Sequence, residues 1–181
     1  GTQSTLLPAL ELEAGRLTGR TAPVFEDGGC LILLDAPVEG DRARVRHELA
    51  AWLAQLVWVA SELPAPGPWR AFLADGGPRL HGGRLAPLAA AEARRILEDL
   101  TRDLLGGGHV HLLPLATQLA LREARAKGRS ARRLRDILER AEPDGYGPLE
   151  GVRLAPPPLD EALHIVERRL GPFLDAREAA R

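Results

Sequence analysis

The stretch GRTAPVFEDGGCLILLDAP, Gly19 to Pro37, limits the possible folds more than any other part of this chain. Its second half, Cys30–Ala36, is apolar at both odd and even positions. A strand of that kind can bury its side chains only when both faces of its sheet are covered, which calls for helices packed on a sheet. Glu26–Gly29 reads as a tight turn, so residues 15–25 and 30–36 read as two arms of a hairpin. Pro23 cannot donate to a ladder and moves the first arm to an edge or a bulge, leaving the second as the central strand. The hairpin ends in Asp35, an acid at a strand terminus.

The rest of the chain supports the same class. Asp41 can cap a helix to about Ala60, with Val45, Leu49, Trp52, Leu53, Leu56 and Val59 at the helical period. Residues 69–88 read as a second hairpin turning at Asp75–Pro78. Ala90–Leu105 reads as a helix with Ala93, Ile96, Leu97, Leu100 and Leu104 on one side, stopped by Gly106–Gly108. His109–Leu113 reads as a short strand. Pro114 opens a helix to about Ala126, and Ser130 caps another to Ala141. A Pro/Gly-rich connector over 142–158 precedes a last helix from Asp160, which Gly171-Pro172 should kink or break. The expected architecture is an α/β mixed sheet flanked by helices with a helical C-terminal tail. Residues 1–141 would be one domain, with 142–181 a connector and helix packing on it.

Composition removes several function classes. The formal net charge is −1 over 181 residues, so any attraction to a polyanion must be local. A single cysteine, Cys30, excludes an internal disulfide and a multi-cysteine zinc site and fits a reducing, cytoplasmic setting. No apolar run approaches the ~18 residues of a membrane span, and the N-terminal stretch lacks the layout of a signal peptide. There is no methionine, so the chain reads as a fragment of a longer protein. All basic residues but Lys127 are arginine.

Metal-dependent phosphodiester hydrolysis needs carboxylates converging on Mg²⁺. A common layout sets one Asp on a first strand and Asp/Glu-x-Lys on the second. Here Asp35 stands at the second-strand acid, Pro37 where the lysine belongs and Ala22 where the first acid belongs. An aspartate at a strand end is more often a loop cap than a metal ligand, and no catalytic residue is assigned. The segment Arg122–Arg140 carries eight basic against three acidic side chains. Arg125, Lys127, Arg129, Arg132, Arg133 and Arg135 are its DNA-contact candidates, although a solvated face or an acidic partner surface is the more usual explanation of such a run. His109, His111 and His81 have zinc-ligand chemistry but lack an accompanying acid or cysteine, so neither metal nor cofactor is expected. Trp58 lies off the apolar stripe of its helix and is the candidate anchor for a partner surface.

LTGRTAPVFEDGGCLILLDA, HELAAWLAQLVWVAS, GPWRAFLADGGPRLHGGRLAPLAAAEARRILEDLTRDLL and HLLPLATQLALREARAKG, in that order, resemble the C-terminal domain of the exodeoxyribonuclease V gamma chain, the RecC family. The similarity runs from about Leu10 to Lys127, and LDEALHIVERRLGPFL suits the same family's C-terminus. The resemblance implies a restriction-endonuclease-like fold without its catalytic residues. Ala22 and Pro37 would replace the first acid and the lysine, Glu48 and Trp52 would occupy the Gln and Tyr positions of the nuclease helix, and only Asp35 would remain. It further implies a noncatalytic scaffold in a RecBCD-type helicase–nuclease complex that repairs double-strand breaks, with the beta and alpha helicase subunits and single-stranded DNA as partners. Two other readings are an active nuclease with rearranged ligands, Arg20 standing in for the lysine, and a nuclease-like interaction domain with no DNA role.

Overall fold

The computed structural model describes residues 9–21, 23–25, 29–33, 40–64, 67–74, 81–106, 113–140 and 156–180. The chain divides into two compact units. Unit 1 comprises 1–102 and 173–181, and unit 2 comprises 103–172.

Unit 1 is built on a three-stranded mixed sheet of β3 (Gly29–Leu33), β4 (Arg70–Ala74) and β5 (His81–Arg84), in the order β3-β4-β5. β3 and β4 run parallel, with Cys30 opposite Ala71 and Ile32 opposite Leu73. Parallel neighbours need a long crossover, and helix α1 (Gly40–Ala60) supplies it. β4 and β5 are antiparallel, with Phe72 opposite Gly82. The second expected hairpin is therefore present, while its turn at Asp75–Pro78 lies outside the described residues. The α/β class and a mixed sheet follow directly from this topology.

Three expectations about unit 1 are corrected. The first arm, 15–25, is not one strand. Its start, β2 (Gly15–Leu17), folds back on β1 (Leu10–Leu12) through a two-residue turn, a closure that costs little chain entropy. Only Pro23–Phe25 lies along β3, through a Val24–Cys30 bridge, with Leu31 N–H donating to the Pro23 carbonyl at 3.1 Å and Phe25 N–H to the Gly29 carbonyl at 2.7 Å. Secondly, β4 rather than β3 is the central strand of the sheet. Ala71 and Leu73 on β4 are fully buried, whereas Leu31 and Ile32 on β3 are half-buried. A continuous apolar run reports coverage of two faces, not rank within the sheet. Thirdly, the buried face of α1 is rotated from the apolar stripe. Glu48 and Gln55 are inside and Leu53 is 39% exposed. The Glu48 carboxylate is paired with Arg177 and the Gln55 amide nitrogen with the Ala86 carbonyl, which offsets much of the cost of burying them.

Helix α2 (Ala90–Leu105) matches its expected bounds. Ala93, Ile96 and Leu97 are buried, but Leu104, expected on the same stripe, is exposed. The β1–β2 hairpin is tied to α2 by Ala14 N–H donating to Glu98 Oε1 at 2.9 Å and Arg94 Nη1 donating to the Glu11 carbonyl at 2.7 Å. The last helix breaks as Gly171-Pro172 requires, into α5 (Leu159–Arg169) and α6 (Gly171–Glu178). From Phe173 onward α6 belongs to unit 1, where Phe173 is fully buried and packs against Trp52 with ring centroids 5.6 Å apart. Ala86 is held from two directions: Gln55 Nε2 donates to its carbonyl at 2.8 Å, and its N–H donates to the Ala176 carbonyl at 2.9 Å.

Unit 2 contains three packed helices, α3 (Leu115–Ala126), α4 (Ala131–Glu139) and α5. Pro114 starts α3 and Ser130 caps α4, its Oγ accepting Arg133 N–H at 3.4 Å. Leu121, Ala124, Leu134, Leu138, Ala162, Ile165 and Val166 form the shared core. The expected strand at His109–Leu113 falls almost entirely outside the described residues. Asp103 anchors α5 through Arg168 Nη2 at 2.6 Å and Arg169 Nε at 2.8 Å. Burial alone would raise the Asp103 carboxyl. The hydrogen bonds and charges of Arg169 and Arg168 overcome it and hold the group below its ordinary value.

Candidate functional site

Ala22, Asp35 and Pro37, the positions of the nuclease-like motif, lie outside the described residues, as do Glu26 and Asp27. What surrounds them is described. β3 leads toward Asp35, α1 follows Pro37, and Glu48 faces inward from α1.

Glu48 has a specific environment. Its carboxylate accepts Arg177 Nε from α6 at 2.5 Å, with side-chain exposures of 5% and 11% for the two partners. On its other side runs β5. A Cβ added to Gly83 would come within 2.6 Å of Glu48 Oε1, a distance real Cβ atoms do not reach. Glycine at 83 is therefore what admits the carboxylate between α1 and the sheet. Trp52, one turn further along α1, is 1% exposed and packs against Phe173 with the two rings tilted by 49°. Glu48 and Trp52 are both taken up by internal packing in unit 1. No sequence signal marks Arg177 as the partner of Glu48, since the two residues lie 129 positions apart.

Cys30 is fully buried on β3, and that burial pushes its thiol up to about 11. A thiol so raised is neither nucleophile nor metal ligand near neutral pH. Among the described residues no group of three or more His, Cys, Asp or Glu side chains is placed to hold a metal ion. His109 and His111 fall outside those residues. Trp58 is half-buried. Its Nε1 donates to the Pro64 carbonyl at 3.0 Å, and its ring meets Trp69 edge-on with centroids 6.2 Å apart. One edge and the polar atom of this residue are thus used within unit 1.

The basic segment is sorted by its partners. Arg122 and Arg125 both reach Glu167 on α5, at 3.3 and 3.4 Å, and Lys127 pairs with Glu123 at 2.6 Å. These pairs are largely exposed and contribute little to stability. Arg129, Arg132, Arg133 and Arg135 are exposed, and among the described residues no carboxylate pairs with them. Of the six residues singled out in the sequence, four therefore carry charge that no carboxylate among the described residues pairs with.

No protein-family model matches this chain, and no curated protein matches it. Among the described residues no helix is long and apolar enough to cross a membrane.

Proposed function

We propose that this chain is a noncatalytic scaffold domain of a RecBCD-type helicase–nuclease complex. It would have a degenerate restriction-endonuclease-like fold, dock the beta and alpha helicase subunits and line a path for separated DNA strands. The observation that carries this reading is the burial of Glu48 against Arg177 and Gly83. A rearranged nuclease would need a second carboxylate beside Asp35, and Glu48, the acid nearest in the motif's helix, is committed to an internal ion pair. Pro37 and Ala22 offer neither charge nor metal-ligand chemistry. The exposed arginines on α4 and at its approach, which pair with no carboxylate among the described residues, suit contact with phosphates along a strand path.

The test is co-expression of this chain with the beta and alpha chains of an exodeoxyribonuclease V from the same genome, followed by size-exclusion chromatography. The expected result is a complex containing all three chains, whose DNA cleavage is unchanged by Asp35→Ala in this one. Elution of this chain apart from the other two would overturn the reading.

A further inference from the structure

The connection between α3 and α4 has a geometry that the scaffold reading does not use. α3 ends in a two-bond closure in which Gly128 N–H donates to the Arg125 carbonyl at 2.9 Å and Arg129 N–H to the Ala124 carbonyl at 3.0 Å. Gly128 sits at φ +64, the left-handed conformation that this closure requires and glycine tolerates. Two residues later Ser130 caps α4. One helix is thus stopped and the next started within Lys127–Ser130, and α5 packs across both, closing a three-helix core. A short glycine-containing turn between two helices that share a core is a connection that a helix–turn–helix uses, as does an αα-hairpin.

The charge is placed where such an element would use it. Leu134, Ile137 and Leu138 turn α4's inner side to the core. Arg132 and Arg135 lie on its outer side with Arg133 at the flank and Arg129 in the turn, all exposed and without a carboxylate partner among the described residues. With Arg140 they stand against Asp136 and Glu139, so α4 together with the turn before it keeps a positive excess. Arginine forks suit both phosphate oxygens and the O6/N7 edge of guanine, and an interspersed carboxylate can accept from cytosine N4. Residues 113–140 contain no Phe, Tyr or Trp, so this surface lacks the rings on which single-stranded bases stack. A rigid helix with arginines on its outer side fits the major groove of B-form DNA, which is wide enough to admit it.

We propose that α3, the Lys127–Ser130 turn and α4 form a helix–turn–helix element that seats α4 in the major groove of duplex DNA. The inference stands on unit 2 alone and does not require the complex proposed above.

The test uses the full chain in a salt-titrated anisotropy assay. Probes are a short mixed-sequence DNA duplex, one of its strands alone, and poly-glutamate. Binding should favour the duplex, with a log–log salt slope of about −3, as expected for three or four phosphates neutralised. Arg132→Ala and Arg135→Ala should each weaken duplex binding about tenfold. Arg95→Ala on α2, an exposed arginine paired with Asp99 at 3.2 Å, should leave it unchanged. Methyl green, a major-groove ligand, should displace the protein, and netropsin, a minor-groove ligand, should not. Equal or tighter binding to the single strand would overturn the proposal while leaving the strand-path reading intact. Binding of poly-glutamate alone, or insensitivity to both arginine variants, would also overturn it. Duplex binding by a chain that fails to assemble with helicase subunits would support it and count against the scaffold reading.

Discussion

At the residue scale, the Glu48–Arg177 pair and Gly83 act as one unit. Removing one partner of a buried ion pair leaves an uncompensated charge, so Glu48→Ala or Arg177→Ala should lower stability by about 3–5 kcal/mol in urea titrations. Gly83→Ala should cost about 1–3 kcal/mol by forcing the Glu48 carboxylate aside. Because the clash is with Glu48 itself, Gly83→Ala combined with Glu48→Ala should cost clearly less than the two added together. Strict additivity would show that the carboxylate does not fill the space above Gly83. Cys30 offers an independent check on unit 1. With its thiol near 11, it should resist a disulfide reagent at neutral pH in the native protein and react promptly in denaturant. Rapid reaction in the folded state would mean that β3 is accessible. The burial of Cys30 follows from its doubly apolar strand, whereas the pairing of Glu48 could not be read from sequence, because Arg177 lies 129 positions away.

At the element scale, local chemistry was legible and strand pairing only in part, the β4–β5 hairpin being expected and the β1–β2 hairpin not. The bounds of α2, the Pro114 start of α3, the Ser130 cap and the break at Gly171-Pro172 all follow from side chains within a turn of the site they control. The β1–β2 hairpin and the central place of β4 depend on which strands find each other, which apolar patterning does not encode. The Gly128 closure is testable at this scale. Gly128→Ala puts a Cβ at φ +64 and should cost about 1–2 kcal/mol in thermal melts, where an unchanged melt would mean the turn is not held in this conformation. Asp103 predicts a pH dependence. Its carboxyl is held low by Arg169 and Arg168 against burial, so its stabilisation is complete above the ordinary carboxylate range and fades as pH falls through the lowered value. Asp103→Asn should therefore destabilise the chain near neutrality and flatten the acid limb below about pH 4. A loss of stability equal at all pH values would contradict the charge-based account.

At the scale of the whole molecule, the α/β class and mixed sheet were legible because a doubly apolar strand admits few other homes. The division into two units was not, since unit 1 recruits the chain's last residues after an excursion through unit 2. The functional account rests on an α1 whose inward side chains serve packing rather than catalysis, with the charge available to DNA carried elsewhere, on α4. The most direct test is a nuclease assay of the purified chain on single- and double-stranded DNA, with and without Mg²⁺ or Mn²⁺, beside Asp35→Ala. The account predicts no metal-dependent cleavage above that of the variant. Cleavage that requires metal and disappears in Asp35→Ala would contradict it.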